Sequence, residues 1–413
     1  MCECSGACTP ETLLLPQPAS RQGARSGSWN HPHDCSAQPA ARGLCAPGRC
    51  AMSEYRVGLV GTGRIGSEFE DGAAEHPVSI AGAFSALPDC TLVAGCNRGR
   101  GRLERFGTRW GVNALYHDVG QMLANEGLDI VAIATPPGLH RDQVVAAAEA
   151  GVKGIFCEKP MALSLGECDE MIAACRHNGC ALLVNCSRRW SGLFEAVRRD
   201  AAAGRWGRLL HLVGYCQGCK PLPDWEADHE GPMLHDAVHM YDIMRFFAGD
   251  VQWVLGTAER RYRHDIRAED TALGILQFAS GVQGVAVVDE LTEHAHFRLE
   301  LHFERGLVRL GAGQSAEKAV PVRDGREDWW STLTEDTLPE LVWEGTPILN
   351  AARDLIRCVE TGEEPRCTGE DGRAAVEVIM GFYESERRGH AKVALPIDEP
   401  RPMLEVMKLE GRY

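Results

Sequence analysis

The 413-residue sequence contains no apolar run close to the roughly 20 residues that a membrane-spanning helix needs. It also lacks an excess of positive charge, because 58 acidic residues outnumber 43 Lys and Arg and give a formal net charge of −15. A nucleic-acid partner calls for a clustered basic surface, so this balance argues against one. Internal repeats are missing as well. We therefore expect neither a membrane nor a nucleic acid among its partners.

Zinc-like cysteine spacing is also missing, although the chain has 17 cysteines. Six lie at or before Cys50, and most of the others lie within apolar segments, where a reduced thiol packs as a small hydrophobic group. Cys216 and Cys219 form a CxxC pair with no second pair at a suitable distance. We expect no metal site, and a reducing compartment, the cytoplasm.

The first 51 residues show no apolar periodicity and are rich in Pro, Gly, Ser, Ala and Arg. The run "LLLP" is too short for the apolar region of a signal peptide. We predict that residues 1–51 are a disordered or non-native extension, since Met52 stands directly before a segment typical of a first core strand.

Residues 52–187 alternate short apolar runs with segments of helical periodicity. Apolar strands that alternate with helices predict a parallel sheet covered on both faces, so we expect an α/β, doubly wound Rossmann domain here. One of the intervening helices should end at Gly151, a C-cap residue. The predicted strands are 55–61, 89–96, 128–137, 152–160 and 180–187.

After residue 188 the pattern changes to alternating apolar and polar residues broken by turn signals such as "ASG" and "ERG". This pattern predicts an α+β domain over 188–397 with a large, mostly antiparallel open sheet. Helices are predicted near 231–249, 348–362 and 370–389. Residues 398–413 are predicted to be a C-terminal tail.

A glycine-rich turn follows the first predicted strand. Gly61, Gly63 and Gly66 have GxGxxG spacing, with Thr62, Arg64 and Ile65 between them. The first glycine permits a tight turn, the second lets the backbone approach a pyrophosphate, and the third lets a helix pack closely on the strand. The turn therefore predicts dinucleotide binding by residues 61–66.

The end of the second predicted strand indicates which dinucleotide is bound. An acidic residue here would accept from the ribose hydroxyl of NAD, whereas arginine accommodates the phosphate of NADP. This chain has Asn97 and Arg98, followed by Arg100 and Arg102. We therefore expect NADP or NAD, with NADP favoured; the alternative is that these arginines form a solvated helix face.

The fourth predicted strand ends in "CEKP", which contains Glu158, Lys159 and Pro160. Ligands of doubly wound sheets lie beyond the carboxyl ends of the strands, so Lys159 would project toward a nicotinamide and its substrate. Glu158 would orient the lysine or contact the cofactor. A surface pair that simply ends the strand is the alternative.

The predicted helix at 231–249 carries His235, His239 and Asp242 at i, i+4 and i+7, which share one face of an α-helix. Imidazoles titrate near neutrality and suit proton exchange with an alcohol. A metal site is a rival, although the glutamate of the HExxH pattern is absent. Core histidines that simply satisfy their hydrogen bonds are another alternative.

Together these segments resemble the Gfo/Idh/MocA family of nicotinamide-dependent oxidoreductases over residues 53–397. The resemblance rests on "GLVGTGRIG", "IVAIATPPGLH", "CEKP", "NCSRRW", "HDAVHMYD" and "GEEPRCTGEDGRAAVEV". It implies a homodimer or homotetramer formed through the C-terminal sheet. It also implies hydride transfer between NAD(P) and a secondary alcohol or ketone of a sugar or an inositol-like polyol.

The resemblance also assigns roles to single residues. Lys159 matches a lysine that contacts the nicotinamide and the reacting oxygen, and His239 a catalytic histidine. His235 stands where inositol dehydrogenases usually have aspartate, so it is expected to serve with His239 or to mark another substrate. The other matches are Asp242 on the same helix, Thr135, Pro136 and His140 along the cofactor, and Arg189 facing the substrate.

Trp225 is a candidate stacking surface for the substrate in the loop 217–231, unless it is an ordinary surface residue. Three other functions fit the same residues. They are a reductase of an aldehyde, imine or diol, an NAD-dependent glycosidase of the same fold, and a non-catalytic dinucleotide sensor. Lys159 and His239 count against the sensor, because a pure binder has no chemical need for them.

Overall fold

The computed structural model describes residues 55–70, 75–218, 230–321 and 331–413. The predicted N-terminal extension and Trp225 lie outside these residues. Among the described helices, none combines the length and apolar character that crossing a membrane requires.

The first sheet of the described chain has six parallel strands in the order β3-β2-β1-β4-β5-β6, which confirms the predicted doubly wound fold. The edge strand β3 was not predicted, because three residues are too few to show a period. The strands are β1 Tyr55–Val60, β2 Cys90–Cys96, β3 Ala114–Tyr116, β4 Ile130–Ile133, β5 Gly154–Cys157 and β6 Ala181–Val184.

Helices connect these strands. The predicted helix that ends near Gly151 is confirmed, and Gly151 has a φ of 82°. The segment after the glycine turn differs from the prediction, because a single π-helical turn, Arg64–Glu68, stands where a longer helix was expected. The helices are α1 Ile80–Ser85, α2 Arg100–Trp110, α3 Val119–Glu126, α4 His140–Glu149, α5 Leu165–Asn178 and α6 Gly192–Ala202.

The second sheet has nine described strands in the order β14-β13-β12-β11-β7-β10-β9-β8-β15. Every pair is antiparallel except β7 with β10, so the prediction of a mostly antiparallel sheet is confirmed. The strands are β7 Leu209–Gln217, β8 Val251–Glu259, β9 Thr271–Phe278, β10 Gln283–Asp289, β11 His296–Phe303, β12 Gly306–Gly311, β13 Ser315–Pro321, β14 Ser331–Asp336 and β15 Val393–Ala394.

Four further helices are α7 Val238–Ala248, α8 Pro347–Thr361, α9 Gly369–Arg387 and α10 Met403–Leu409. Helix α8 packs against β5 and β6 of the first sheet and α10 packs against α9, whereas α7 and α9 pack against this second sheet. Glycines let them approach the strands. A Cβ on Gly214 of β7 would lie 2.7 Å from Sδ of Met240, and one on Gly274 of β9 would lie 1.8 Å from the ring of Phe382. The predicted C-terminal tail is thus partly helical, and Met407 of α10 is fully buried.

Candidate active site

The carboxyl ends of the parallel strands share one edge of the first sheet, and the loops that leave it carry most of the predicted site residues. The glycine turn follows β1. Gly61 has a φ of +91°, and a Cβ on Gly66 would lie 2.1 Å from the carbonyl oxygen of Gly61. At Gly63, by contrast, the nearest atom to an added Cβ is Nη1 of Arg102, 3.8 Å away. Gly63 therefore leaves backbone accessible, as a cradle for a pyrophosphate requires.

The residues between the glycines serve the turn itself. Thr62 is fully buried, and its hydroxyl accepts a hydrogen bond of 3.0 Å from the side chain of Asn97. Ile65 is half-buried, whereas Arg64 is exposed and lies 5.0 Å from the ring of Phe69. Asn97 thus ties the end of β2 to the glycine turn.

The arginines after β2 differ in how far they are already paired. Arg102 lies 3.6 Å from Glu68, and Arg100 lies 2.7 Å from Glu104. Arg98 is exposed and has no hydrogen bond or ion pair to any described residue. Arg98 is therefore the guanidinium that can accept a phosphate without first breaking an ion pair.

The loop after β4 is held in place by the buried side chain of His140. His140 is fully buried: Nε2 contacts the carbonyl oxygen of Thr135 at 2.8 Å, and Nδ1 contacts those of Pro160 and Met161 at 3.1 and 3.2 Å. Burial lowers the pKa of His140, and these carbonyl contacts oppose the shift. The interpretation of His140 as a cofactor ligand is corrected, because its ring is enclosed. Thr135 and Pro136 remain partly accessible above it.

Lys159 projects from the end of β5 and is partly buried. Its Nζ donates to the carbonyl oxygen of His235 at 2.5 Å. Glu158 lies beneath it, 6 % exposed, and accepts from Asn185 Nδ2 at 2.6 Å and from the Lys159 backbone N–H at 3.2 Å. Burial raises the pKa of Glu158, and the Asn185 hydrogen bond opposes that shift. Glu158 therefore orients the turn that carries Lys159 through these two hydrogen bonds.

The predicted histidine helix is not a regular α-helix. Met233–Ala237 forms a π-helical turn, and α7 begins only at Val238. The prediction of one continuous helix over 231–249 is therefore corrected at its start, since a π turn holds more residues than an α turn. His235 lies in the π turn, whereas His239, 7 % exposed, lies in the first turn of α7.

Asp242 and Arg189 lie away from the accessible part of the site. Asp242 is fully buried, and both of its oxygens lie 3.0 Å from Nε of Arg189. Arg189 also donates to Asp371 at 2.9 Å and to the carbonyl oxygen of Arg366 at 2.8 Å. These contacts correct two predictions, because Asp242 and Arg189 hold each other in the core rather than facing a substrate.

Three charged side chains that interact with residues of the π turn were missed in the sequence. Nδ1 of His235 lies 2.7 Å from Oε1 of Glu290, and Glu290 is 1 % exposed. Glu269 accepts from the Met233 backbone N–H at 3.1 Å and from the Tyr383 hydroxyl at 2.6 Å. Arg188 lies 4.4 Å from the ring of Phe297. Glu290 directly follows a strand, as Lys159 nearly does, and this placement was the available signal.

The electrostatics of this region are those of buried, closely spaced charges. Burial raises the pKa of Glu269 to about 7 and lowers that of Arg188. His235, Asp236 and Glu290 bring one nitrogen and two oxygens within 4.8 Å of one another, a set that is chemically able to hold a divalent cation.

Comparison with known proteins gives two family matches and several relatives. A family described as "Oxidoreductase family, NAD-binding Rossmann fold" matches residues 55–186, and "GFO/IDH/MocA C-terminal domain" matches residues 194–309. D-apiose dehydrogenase of Paraburkholderia graminis is 32 % identical over 325 residues, 74 % of this chain and 84 % of the relative. Myo-inositol 2-dehydrogenase of Thermotoga maritima is 26 % identical over 351 residues, 83 % of this chain and 99 % of the relative.

Solved structures share the fold. An oxidoreductase from Agrobacterium radiobacter in complex with NAD+, L-tartaric acid and magnesium has a TM-score of 0.70 at 22 % identity, covering 83 % of this chain and 98 % of its own. The WlbA dehydrogenase of Bordetella pertussis, in complex with NADH and UDP-GlcNAcA, has a TM-score of 0.69 at 24 % identity, covering 84 % and 99 %. The two family matches and the D-apiose dehydrogenase relative show that the chain belongs to the Gfo/Idh/MocA family of nicotinamide-dependent oxidoreductases.

Proposed function

We propose that this oxidoreductase transfers a hydride between NADP(H) and a secondary alcohol or ketone carbon of a sugar or a cyclic polyol. The single observation that carries the proposal is the position of the Lys159 ammonium, held at the carboxyl end of β5 by the carbonyl oxygen of His235. An ammonium has three N–H donors, and this contact uses one. No other hydrogen bond joins this ammonium to a described residue, so the other two donors are left for a substrate oxygen.

The cofactor would be held by the glycine turn at Gly61, Gly63 and Gly66 and flanked by Thr135 and Pro136. The open backbone at Gly63 and the close-packed glycines on either side, Gly61 and Gly66, fit a dinucleotide pyrophosphate. When bound, a nicotinamide ring supplies the hydride acceptor or donor. The protein orients the substrate against it and keeps water out.

The protein residues manage the substrate oxygen and its proton. Lys159 stabilises negative charge on that oxygen, because its ammonium is fixed before the reaction begins. We assign proton exchange to His239 together with His235, which lie on either side of the junction between the π turn and α7. Asp242 and Arg189 support α7 from behind, since they form an ion pair in the core.

NADP is preferred over NAD in this proposal because of Arg98. No carboxylate stands at the end of β2 to bind the ribose hydroxyl of NAD, and Asn97 is committed to Thr62 and to the Gly99 backbone N–H, 2.8 Å away. Arg98 is exposed beside this site. A ribose phosphate would therefore meet a guanidinium without an ion-pair partner among the described residues.

The substrate class follows from the relatives, which include D-apiose and inositol dehydrogenases.

Homo-oligomerisation belongs to the same proposal. The outer face of the second sheet exposes Leu273, Ile275 and Val285, with 51 %, 43 % and 42 % of their surface accessible. Neighbouring apolar residues on adjacent strands favour contact with a second copy of this chain.

We place the enzyme in the cytoplasm, since the ten described cysteines are free, buried thiols.

The test uses the full-length protein and two matched lysine variants. NADPH and NADH are titrated by nicotinamide fluorescence, and turnover is then screened with D-apiose, myo-inositol and other aldoses and polyols. Lys159→Met removes the ammonium from the carboxyl end of β5. Lys153→Met removes an exposed ammonium next to the other end of the same strand, where it pairs with Asp129 at 2.8 Å.

We expect Lys159→Met to retain nucleotide binding and to lose about 10²–10⁴-fold in kcat/KM, whereas Lys153→Met should behave as the unmodified protein. The proposal is wrong if neither nucleotide binds, or if Lys159→Met turns over normally.

A further inference from the structure

The His235 imidazole lies within hydrogen-bond distance of the enclosed carboxylate of Glu290. Nδ1 of His235 lies 2.7 Å from Oε1 of Glu290, and the two side chains are 18 % and 2 % exposed. Glu290 is the residue directly after β10, whereas His235 lies in the π turn before α7. The pair therefore joins two elements that are far apart in the chain, and its carboxylate is enclosed.

Charged groups surround the pair on each side. Nη1 of Arg263 lies 4.0 Å from the second oxygen of Glu290, and Asp236 is within 4.8 Å of both His235 and Glu290. Lys159 contacts His235 only through its backbone carbonyl. The carboxylate of Glu269 also acts on Glu290, and Arg188 acts on Asp236.

A carboxylate at Nδ1 determines what the other ring nitrogen can do. A carboxylate only accepts hydrogen bonds, so Nδ1 must carry the hydrogen and Nε2 of the neutral ring has the lone pair. Once Nε2 takes a proton, the resulting imidazolium lies against a negative charge in a water-poor setting. This is the arrangement by which an enclosed carboxylate orients a histidine and stabilises its charged form.

We propose that Glu290 is a positioning residue for the reaction, holding His235 so that its Nε2 exchanges the hydroxyl proton of the substrate. This inference rests on the proposed function and adds a residue to it. In the oxidising direction, the substrate O–H bond breaks and an N–H bond forms at Nε2. The carbon-bound hydrogen leaves with its electron pair to the oxidised dinucleotide, and the imidazolium releases its proton to water.

Glu290→Gln tests the proposal, because it keeps the size of the side chain and removes its charge. Glu290→Asp is the conservative variant. Glu300→Gln is the matched control, a carboxylate in the same sheet that pairs with Arg298 at 3.1 Å and has no contact with His235. Each full-length protein is labelled with ¹⁵N-histidine, and the His235 resonance is assigned by its loss in His235→Asn.

We expect the ¹⁵N spectrum to show the hydrogen on Nδ1 of His235 in the unmodified protein and in Glu300→Gln, and a mixture of tautomers in Glu290→Gln. With NADP+ and the alcohol found by screening, Glu290→Gln should lower kcat/KM at least ~10-fold, with a larger solvent isotope effect and unchanged nucleotide affinity. Glu290→Asp should restore part of the rate.

Several results would overturn the proposal. A His235 ring protonated on Nε2, or a Glu290→Gln spectrum identical to that of the unmodified protein, would remove its basis even if no substrate had been found. Equal loss of nucleotide binding and thermal stability in Glu290→Gln would indicate a purely structural role. Activity lost to a chelator and restored by Zn²⁺ or Mn²⁺ would identify the cluster as a metal site instead. Failure of the proposed function would appear separately, as absent nucleotide binding or an inert Lys159→Met substitution.

Discussion

Lys159 donates a hydrogen bond from its ammonium to the backbone carbonyl of His235, across 2.5 Å. The lysine follows the carboxyl end of β5 in the parallel sheet, and the histidine lies in the π turn that precedes α7. A backbone acceptor keeps its position when a side chain is replaced. A substitution of the His235 side chain can therefore change the imidazole chemistry without moving the Lys159 ammonium, so the two contributions can be measured separately.

Two glycines of the same turn should respond differently to alanine. Gly66→Ala places a Cβ 2.1 Å from the Gly61 carbonyl oxygen, so the turn must shift, and we expect a loss of about 1–3 kcal/mol in the free energy of unfolding. Gly63→Ala meets no atom closer than 3.8 Å and should fold normally while binding NADPH about tenfold or more weakly. Denaturant unfolding and fluorescence titration measure the two effects. Equal stability losses in both variants would contradict this distinction.

Cofactor preference should depend on Arg98 more than on its neighbours. Arg98→Ala removes the exposed guanidinium that has no ion-pair partner in the described part of the chain, and we expect the ratio of NADPH to NADH affinity to fall about tenfold or more. Arg100→Ala is the control, because Arg100 already pairs with Glu104 at 2.7 Å. Titration of both nucleotides against both variants decides the matter. If the ratio is unchanged in Arg98→Ala, Arg98 does not contact the ribose phosphate.

The free energy of unfolding should decrease as pH rises, because of Glu269. Burial raises the pKa of its carboxyl from 4.5 to about 7, so between these values the folded state holds a proton that the unfolded chain has released. The free energy of unfolding should therefore fall by on the order of 3 kcal/mol as pH rises through this window, and then level off. Glu269→Gln should flatten this dependence, as measured by denaturant unfolding at several pH values. An unchanged slope would show that Glu269 is already ionised in the folded protein.

The buried pair of Arg189 and Asp242 should be far more sensitive to single changes than to a double one. Arg189→Met leaves the carboxylate of Asp242 enclosed without its cation, and we expect a loss of about 3–5 kcal/mol. Arg189→Met combined with Asp242→Asn should recover part of that loss, since the uncompensated charge is gone. Thermal and denaturant unfolding provide the measurement. Additive losses would argue against direct coupling of the two residues.

The exposed apolar face of the second sheet should determine the oligomeric state. Leu273→Asp introduces a charge at a position that is 51 % exposed on β9, and we expect the oligomer to dissociate into smaller species. Leu341→Asp is the control, because Leu341 is also exposed, at 58 %, but lies outside the strands of the sheet. Light scattering after size-exclusion chromatography measures the mass. A monomeric unmodified protein would contradict the proposed interface.

The elements with strong periodicity were predictable from the sequence. The apolar runs that became β1, β2 and β4 to β6, the alternating strands β7 to β13, and helices α8 and α9 were identified because burial imposes an apolar run or a repeat on each of them. The positions of the glycine turn after β1 and of Lys159 after β5 were also predictable, since a strand end is itself a local signal. Their roles in binding and catalysis stay predictions.

The rest depended on contacts that no local pattern encodes. The π turn at Met233–Ala237 shifts the register, and its shape depends partly on Glu269, which is distant in sequence. Arg189 and Arg188 are neighbours in the chain, yet only Arg189 meets Asp242 and Asp371 in the core. Which arginine faces inward, and which glutamate meets His235, is decided by how the two sheets pack.

Asp371 lies at the start of α9, where its carboxylate accepts from Arg189 and also completes the cap of that helix. Arg189 in turn holds Asp242 of the helix that carries His239. A chain made from its N-terminus exposes the Rossmann segment first and this carboxylate only near the end of synthesis. The strands of the first sheet thus emerge long before Asp371, and the support behind His239 is incomplete until residue 371 has been synthesised.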